Sequence, residues 1–167
     1  GAFARVAKLL DPVREKACEL IRSSSFAQGD ESGWRIDGRN GYTWVFIAGN
    51  LIVYVCADSR KSEVAKNVIG EFNGIFTSDR YSGYEFVAGQ RSYCLEHLKR
   101  DAIKVRNDNP KNKECIAYSD TIVPVLAEII KLRSVYREDP NAYRCAALNA
   151  GKRLYEIVHR QAKHPDI

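Results

Sequence analysis

The sequence predicts a mixed α/β domain that is preceded by one helix and followed by a helical region. Two observations indicate the domain: residues 26–57 are rich in β-branched and aromatic side chains, and two short β-like segments then alternate with helical ones. From Leu95 onward, the apolar residues recur only at helical spacing. We therefore expect a five-stranded sheet, formed by a three-stranded antiparallel meander and further parallel strands.

Residues 3–22 carry apolar side chains at steps of three and four, which predicts an amphipathic helix, and we assign residues 1–24 to it. Pro12 predicts a local kink or a break into two pieces, because proline lacks a backbone N–H and crowds the preceding turn.

The meander strands are predicted at residues 33–36, 42–47 and 51–56, with Gly- and Asn-rich turns between them. Trp34 and Trp44 fall in these strands, and core or cross-strand packing is favoured for both over base stacking.

A helix capped by Ser59 is predicted over residues 62–72 and is expected to end at Asn73-Gly74. The apolar run 74–79 then predicts a buried parallel strand, reached by a helical crossover. A helical turn at 81–86 and a fifth strand at 90–94 complete the predicted core, residues 25–106.

The remainder, residues 107–167, is predicted to be a helical insertion or appendage. A polar loop is expected at 107–114, and Asp139 with Pro140 is typical of a helix start.

Composition restricts the kind of protein. Five cysteines without a CxxC pair indicate reduced thiols, and no apolar run approaches the ~18 residues of a membrane span, so we expect a soluble intracellular protein. The net charge of +5 is compatible with a polyanionic partner. The absence of methionine and the start at Gly1 predict a piece of a longer protein.

Two acids are the candidate chemical groups. Asp30 lies on the first strand and Asp79 at the end of the fourth, 49 positions (79 − 30) apart in the chain. If the crossover returns the fourth strand beside the first, the two carboxylates become neighbours and repel each other unless a divalent cation lies between them. Oxygen donors without convergent histidines or thiolates favour Mg²⁺ or Mn²⁺, and such sites serve phosphodiester chemistry.

Three blocks of this sequence resemble a known family. The blocks Gly29–Trp34, Thr77–Tyr84 and Arg91–Asp101 are similar, in order and spacing, to the central catalytic region of IS66-type transposases, whose fold is RNase H-like. The resemblance implies a DNA transposase core that cuts transposon ends and joins 3′-hydroxyls to target DNA, in the bacterial cytosol or nucleoid. It also implies that Asp30 and Asp79 are the first two acids of a metal-binding triad, and that the protein oligomerises on DNA.

The third acid of that triad has no matching motif, so we expect the chain to stop before it and to be catalytically incomplete. Two alternatives stay open. One is another RNase H-like nuclease, such as a resolvase or ribonuclease, and the other is a non-catalytic nucleic-acid-binding module with the same fold.

Neighbouring residues are candidates for supporting roles. Glu31 should point away from Asp30, where it is either solvated or a residue that supports the metal ligands without binding the metal. His97 is expected to be a buried residue with a hydrogen bond, or else a residue that supports the metal ligands. Arg80 could reach a phosphate or be an ordinary surface arginine. Four further basic residues could form a DNA-backbone face or a merely solvated one: Arg60, Lys61, Lys99 and Arg100.

Overall fold

The computed structural model describes residues 2–159, with the side chains of residues 2–4 and 36 excepted. The helices are α1 (Ala2–Arg22), α2 (Ser62–Ile69), α3 (Leu95–Asp108), α4 (Lys113–Val135) and α5 (Pro140–Val158). The strands are β1 (Phe26–Ile36), β2 (Arg39–Ala48), β3 (Leu51–Ala57), β4 (Ile75–Ser78) and β5 (Gln90–Tyr93), with a short 3₁₀ helix at Ser82–Tyr84. The contacts divide the chain into two compact units, with the boundary between Tyr93 and Cys94.

The five strands form one sheet in the order β3-β2-β1-β4-β5. Strands β1, β2 and β3 pair antiparallel as a meander, whereas β4 pairs parallel with β1 and with β5. The α2 crossover connects the meander to β4 and places β4 on the far side of β1 from β2. This mixed sheet confirms the predicted α/β, RNase H-like fold class.

One face of the sheet carries the core of the first unit. Its large, fully buried side chains include Trp44 and Phe46 on β2, Phe76 on β4 and Tyr84 of the 3₁₀ helix. The rings of Trp44 and Tyr84 meet edge to face with centroids 5.9 Å apart. Burying an aromatic side chain of this size removes about 150–250 Å² of surface from water, so this layer dominates the stability of the unit.

The core leaves no room for a side chain at Gly29 on β1. A Cβ at that position would meet the ring of Phe76 at 2.6 Å and the ring of Phe46 at 3.3 Å. The glycine directly before Asp30 is therefore required by the close approach of two aromatic rings.

Several predicted boundaries of the first unit were wrong. Helix α1 continues through Pro12, so the predicted break into two pieces is absent, while the alternative of a local kink stays a prediction. Helix α2 ends at Ile69 instead of residue 72, because Gly70 adopts a φ of 50°. Its N-cap residue is Lys61, and the Ser59 hydroxyl instead accepts a hydrogen bond from the Lys61 N–H at 3.1 Å.

The second unit consists of helices α3, α4 and α5, with buried residues that include Ala102, Ile122 and Leu126. Asp139 caps α5 as predicted, since its side chain accepts hydrogen bonds from the N–H groups of Asn141 and Ala142. The loop before α4 is shorter than predicted. The predicted helical continuation beyond residue 159 lies outside the described residues, and the assignment of 107–167 to an insertion stays a prediction.

The boundary between the units precedes α3, whereas the predicted end of the core at residue 106 falls in the last turn of that helix. Among the described helices, none is both long enough and apolar enough to cross a bilayer.

Candidate active site

The pairing register of β1 and β4 brings Asp30 and Asp79 together. Phe26, Ala27 and Gln28 lie opposite Ile75, Phe76 and Thr77, so each β4 residue has a number 49 higher than its β1 partner. Extending this register by two residues sets Asp30 opposite Asp79. A carboxylate oxygen of Asp30 and one of Asp79 lie within 4.8 Å of each other.

Backbone and side-chain hydrogen bonds hold the Asp79 end of β4. The Asp79 carboxylate accepts a hydrogen bond from the Tyr81 N–H at 3.0 Å, while the Ser78 hydroxyl donates to the Asp79 carbonyl at 2.7 Å. Arg91 on β5 donates to the Ser78 hydroxyl at 3.0 Å and to the Tyr84 carbonyl at 2.6 Å. Arg91 was not among the predicted site residues, and its only signal in the sequence was its place in one of the three blocks that resemble the family.

The two carboxylates suit a hard divalent cation. Two oxygens that bind one Mg²⁺ at about 2.1 Å are at most about 4.2 Å apart. The Asp30 and Asp79 oxygens lie within 4.8 Å, so only a small change in side-chain conformation would let both bind one ion. Asp30 is exposed and Asp79 is partly buried, so a cation between them could keep several of its waters. The donor set of the pair fits magnesium or manganese, with both Asp side chains as ligands.

Glu31 lies behind this pair, on the opposite face of β1. Its side chain is only 1% exposed, and it accepts hydrogen bonds from Arg60 at 2.5 Å and from the Tyr84 hydroxyl at 2.8 Å. The Arg60 guanidinium also lies 4.1 Å from the centroid of the Tyr81 ring. We call Glu31, Arg60, Tyr81 and Tyr84 the Glu31 cluster.

Burial governs the ionisation of the Glu31 cluster. Desolvation raises the pKa of Glu31 above its usual value, although the hydrogen bonds from Arg60 and Tyr84 oppose the rise. Burial, followed by the nearby Glu31 charge, raises the pKa of Tyr84 so that the phenol stays protonated and can donate to Glu31. The cluster thus ties β1 to the segment that follows β4.

Glu31 was predicted to point away from Asp30, and the alternation of side chains along β1 agrees with that prediction. The solvated alternative for Glu31 is wrong, because its side chain is buried, and its support of the metal ligands stays a prediction. Arg60 is committed to Glu31, while Lys61 is the exposed N-cap residue of α2. Arg80 follows Asp79 directly and is exposed.

The other predicted residues lie on α3, in the second unit. Lys99 pairs with Glu96 at 2.7 Å, and Arg100 is exposed. The His97 Nδ1 atom is buried and has no hydrogen-bond partner among the residues that the structure describes.

The two tryptophans, which the sequence analysis treated alike, have opposite environments. Trp44 is fully buried, as favoured, but Trp34 is 62% exposed and therefore not a core residue. Both lie in strands rich in large side chains, but Trp34 is on the opposite face from Trp44 and lies beyond the part of the sheet that β3 and β4 cover.

The sequence also matches a protein-family model. The family model described as Transposase IS66 family matches residues 1–164. The chain therefore belongs to the Transposase IS66 family, which confirms the resemblance found in the sequence.

Other comparisons find more distant relatives. A curated relative is the uncharacterized protein y4jD of Sinorhizobium fredii, 26% identical over 161 aligned positions that cover 80% of this chain and 30% of that protein. The chain thus spans about a third of the relative's length.

Solved structures also resemble this chain. A chain of the simian T-cell lymphotropic virus intasome in complex with PP2A regulatory subunit B56 gamma is 14% identical, with a TM-score of 0.36, covering 85% of this chain and 56% of that one. The HTLV-2 integrase catalytic core domain in complex with magnesium is 12% identical, with a TM-score of 0.34, covering 75% and 84%.

Proposed function

We propose that this chain is part of the catalytic core of a DNA transposase and that Asp30 and Asp79 bind the Mg²⁺ or Mn²⁺ that its chemistry uses. The observation that carries the proposal is the pairing register of β1 and β4, which sets two acids from distant parts of the sequence within 4.8 Å. Membership in a transposase family supports the assignment of DNA as substrate.

The reaction would cut the phosphodiester bonds at transposon ends and join the freed 3′-hydroxyls to target DNA. A divalent cation at such a site lowers the pKa of the attacking water or hydroxyl and stabilises the leaving oxygen. Asp30 and Asp79 would hold it through one carboxylate oxygen each. The Tyr81 N–H and the Ser78–Arg91 hydrogen bond hold Asp79 in one orientation. Cation binding would therefore cost less conformational entropy of the Asp79 side chain.

Metal titration tests the assignment directly. Mn²⁺ binding by the 167-residue chain, followed by calorimetry, should be lost in both Asp30→Asn and Asp79→Asn. Asp58→Asn is the matched control, because it removes an exposed acid of the same unit from outside the pair. Binding that survives both substitutions would refute the shared site.

Two acids hold a readily hydrated ion weakly, so we expect low affinity and poor DNA cleavage unless a third acid is supplied. Robust Mg²⁺-dependent cleavage by this chain would contradict the expected absence of the third acid. DNA binding that is salt-dependent but indifferent to Mg²⁺, together with no metal binding, would favour a non-catalytic binding module.

A further inference from the structure

The end of the β1–β2 hairpin extends beyond the rest of the sheet. The β1–β4 pairing stops at Gln28 and Thr77, and the β2–β3 pairing stops at Tyr42 and Ala57. From Trp34 to Gly41, the two strands therefore pair only with each other in the described sheet. We call residues 34–41 the hairpin arm.

The hairpin arm is built as a tight two-residue turn. Asp37 and Gly38 adopt φ values of 50° and 75°, the combination that a type I′ turn requires and that suits the twist of paired strands. The arm is therefore a defined β-ribbon, and its described side chains Trp34, Arg35, Asp37, Arg39 and Asn40 are exposed.

Trp34 and Arg39 lie on the same face of the ribbon as Asp30. Side chains alternate along a strand, so Asp30, Ser32 and Trp34 share one face of β1, and directly paired residues share a face across strands. Arg39 pairs with Ile36 and so belongs to that face, whereas Arg35 belongs to the opposite one. Four residues of strand place Trp34 about 13 Å from Asp30.

These side chains are open to a ligand. Trp34 is 62% exposed, and its cross-strand partner is Gly41, which offers no side chain to cover the indole. Within the part of the chain that the structure describes, Arg35 and Arg39 take part in no ion pair. An exposed indole beside a cation is the combination that binds a base by stacking and its phosphate by charge.

We propose that the hairpin arm binds an unpaired nucleotide of the DNA substrate, with Trp34 stacking on the base and Arg39 contacting a phosphate. Unpaired nucleotides are favoured because the bases within a duplex already stack on one another and expose no face to an indole. The proposal rests on the proposed function for its substrate. Trp34 and Arg39 would hold that nucleotide on the same face of the sheet as Asp30.

Equilibrium binding tests the arm without the metal site. A fluorescein-labelled oligo(dT) of about 12 nucleotides, titrated in EDTA, should bind Trp34→Ala at least about fivefold more weakly than wild type, while Trp34→Phe keeps most of the affinity. The affinity of Trp34→Ala for a fully paired duplex should fall by a smaller factor than its affinity for oligo(dT). Equal oligo(dT) binding by wild type and Trp34→Ala, or no binding by wild type at low salt, overturns the proposal.

The two arginines of the arm provide a matched pair of variants. Arg39→Ala should lower the slope of log affinity against log salt by about 0.7, the contribution of one phosphate contact on single-stranded DNA, and Arg35→Ala should not. An equal change in both variants would overturn the assignment of the binding face.

Tryptophan fluorescence gives an independent reading, because the only other tryptophan, Trp44, is buried. Oligo(dT) should quench the wild type and leave Trp34→Phe unquenched. Quenching that persists in Trp34→Phe would place the signal at Trp44 and overturn the stacking. Because these measurements exclude metal, Mn²⁺ binding that survives both Asp30→Asn and Asp79→Asn would refute the proposed function alone. Oligo(dT) affinity that is unchanged in Trp34→Ala would refute the role of the hairpin arm alone.

Discussion

The two faces of the sheet in the first unit differ in what their aromatic and acidic residues do. On the core face, Trp44 and Phe46 are fully buried, and the carboxylate on that face, Glu31, is paired with Arg60 and Tyr84. On the opposite face, Asp30 is exposed, as are Trp34 and Tyr54 at 62% and 67%. The same residue types therefore serve packing on one face and remain open to ligands on the other.

This difference shows how one strand can serve stability and chemistry together. Along β1, Gly29 and Glu31 point into the core while Asp30 between them points outward, because side chains alternate with a period of two. The residues on either side of Asp30 fix its backbone, Gly29 by close packing and Glu31 by an ion pair in which the carboxylate is buried. The acid itself needs no packing contact and remains available to a cation.

The largest difference between the faces should be seen in the two tryptophans. Trp44→Ala removes a fully buried side chain and should lower the free energy of unfolding by about 3–5 kcal/mol. Trp34→Ala should change it by no more than about 0.5 kcal/mol, because most of the Trp34 side chain is already exposed to water. Urea denaturation of both variants gives the comparison, and similar losses would mean that Trp34 has a structural role.

The next largest effect on the free energy of unfolding should distinguish two glycines of β1, Gly29 and Gly33. Gly29→Ala should cost about 1–3 kcal/mol, because the new Cβ would overlap the Phe76 ring, and the shift should also weaken Mn²⁺ binding at the adjacent Asp30. Gly33→Ala is the matched control, since nothing lies within 4 Å of a Cβ there. A Gly29→Ala protein as stable as Gly33→Ala would show that the rings yield readily.

Removing one acid of the Asp30–Asp79 pair should stabilise the metal-free protein. Asp30→Asn relieves repulsion from Asp79 and should raise the free energy of unfolding by about 0.2–1 kcal/mol at low ionic strength. The gain should shrink as salt screens the charges. Thermal unfolding in EDTA measures it, with Asp58→Asn as control, and a clear loss of stability in Asp30→Asn would indicate that the two carboxylates do not interact.

The buried carboxylate should produce the smallest, pH-dependent effect. Because burial raises the pKa of Glu31 from its ordinary 4.5, the folded protein binds a proton more tightly than the unfolded chain. The resulting stabilisation is fully present below pH 4.5 and is lost as the pH rises through the folded-state pKa. Wild type should therefore lose stability relative to Glu31→Gln across that window, with exposed Glu63→Gln as the reference. A difference that is constant or reversed in sign would contradict the raised pKa.

The sequence predicted most of the fold because its signals are local. Glycine and asparagine turns separated the meander strands, and an apolar run that ends in an acid indicated the buried parallel strand β4. Errors occurred where one residue overruled the pattern. The apolar spacing continues to Phe72, but the positive φ of Gly70 ends α2 earlier.

The candidate site was predicted less completely. Its two acids could be named because a crossover that returns β4 to β1 places Asp30 and Asp79 together. The supporting Arg91 and the Glu31 cluster join residues that are up to 53 positions apart, such as Glu31 and Tyr84. No local pattern specifies which distant side chains will meet, since that depends on how the segment after β4 packs against the core.

The sequence by itself determined the order of the elements, the type of sheet, the pair of acids and the family. Only the tertiary structure decided that α1 runs unbroken through Pro12, that Glu31 is buried against Arg60, and that Trp34 is exposed whereas Trp44 is buried. The physical reason is that side chains alternate between the two faces of a strand, but the alternation alone does not determine which face other elements bury. The buried face is determined by the helices and aromatic rings that pack against it.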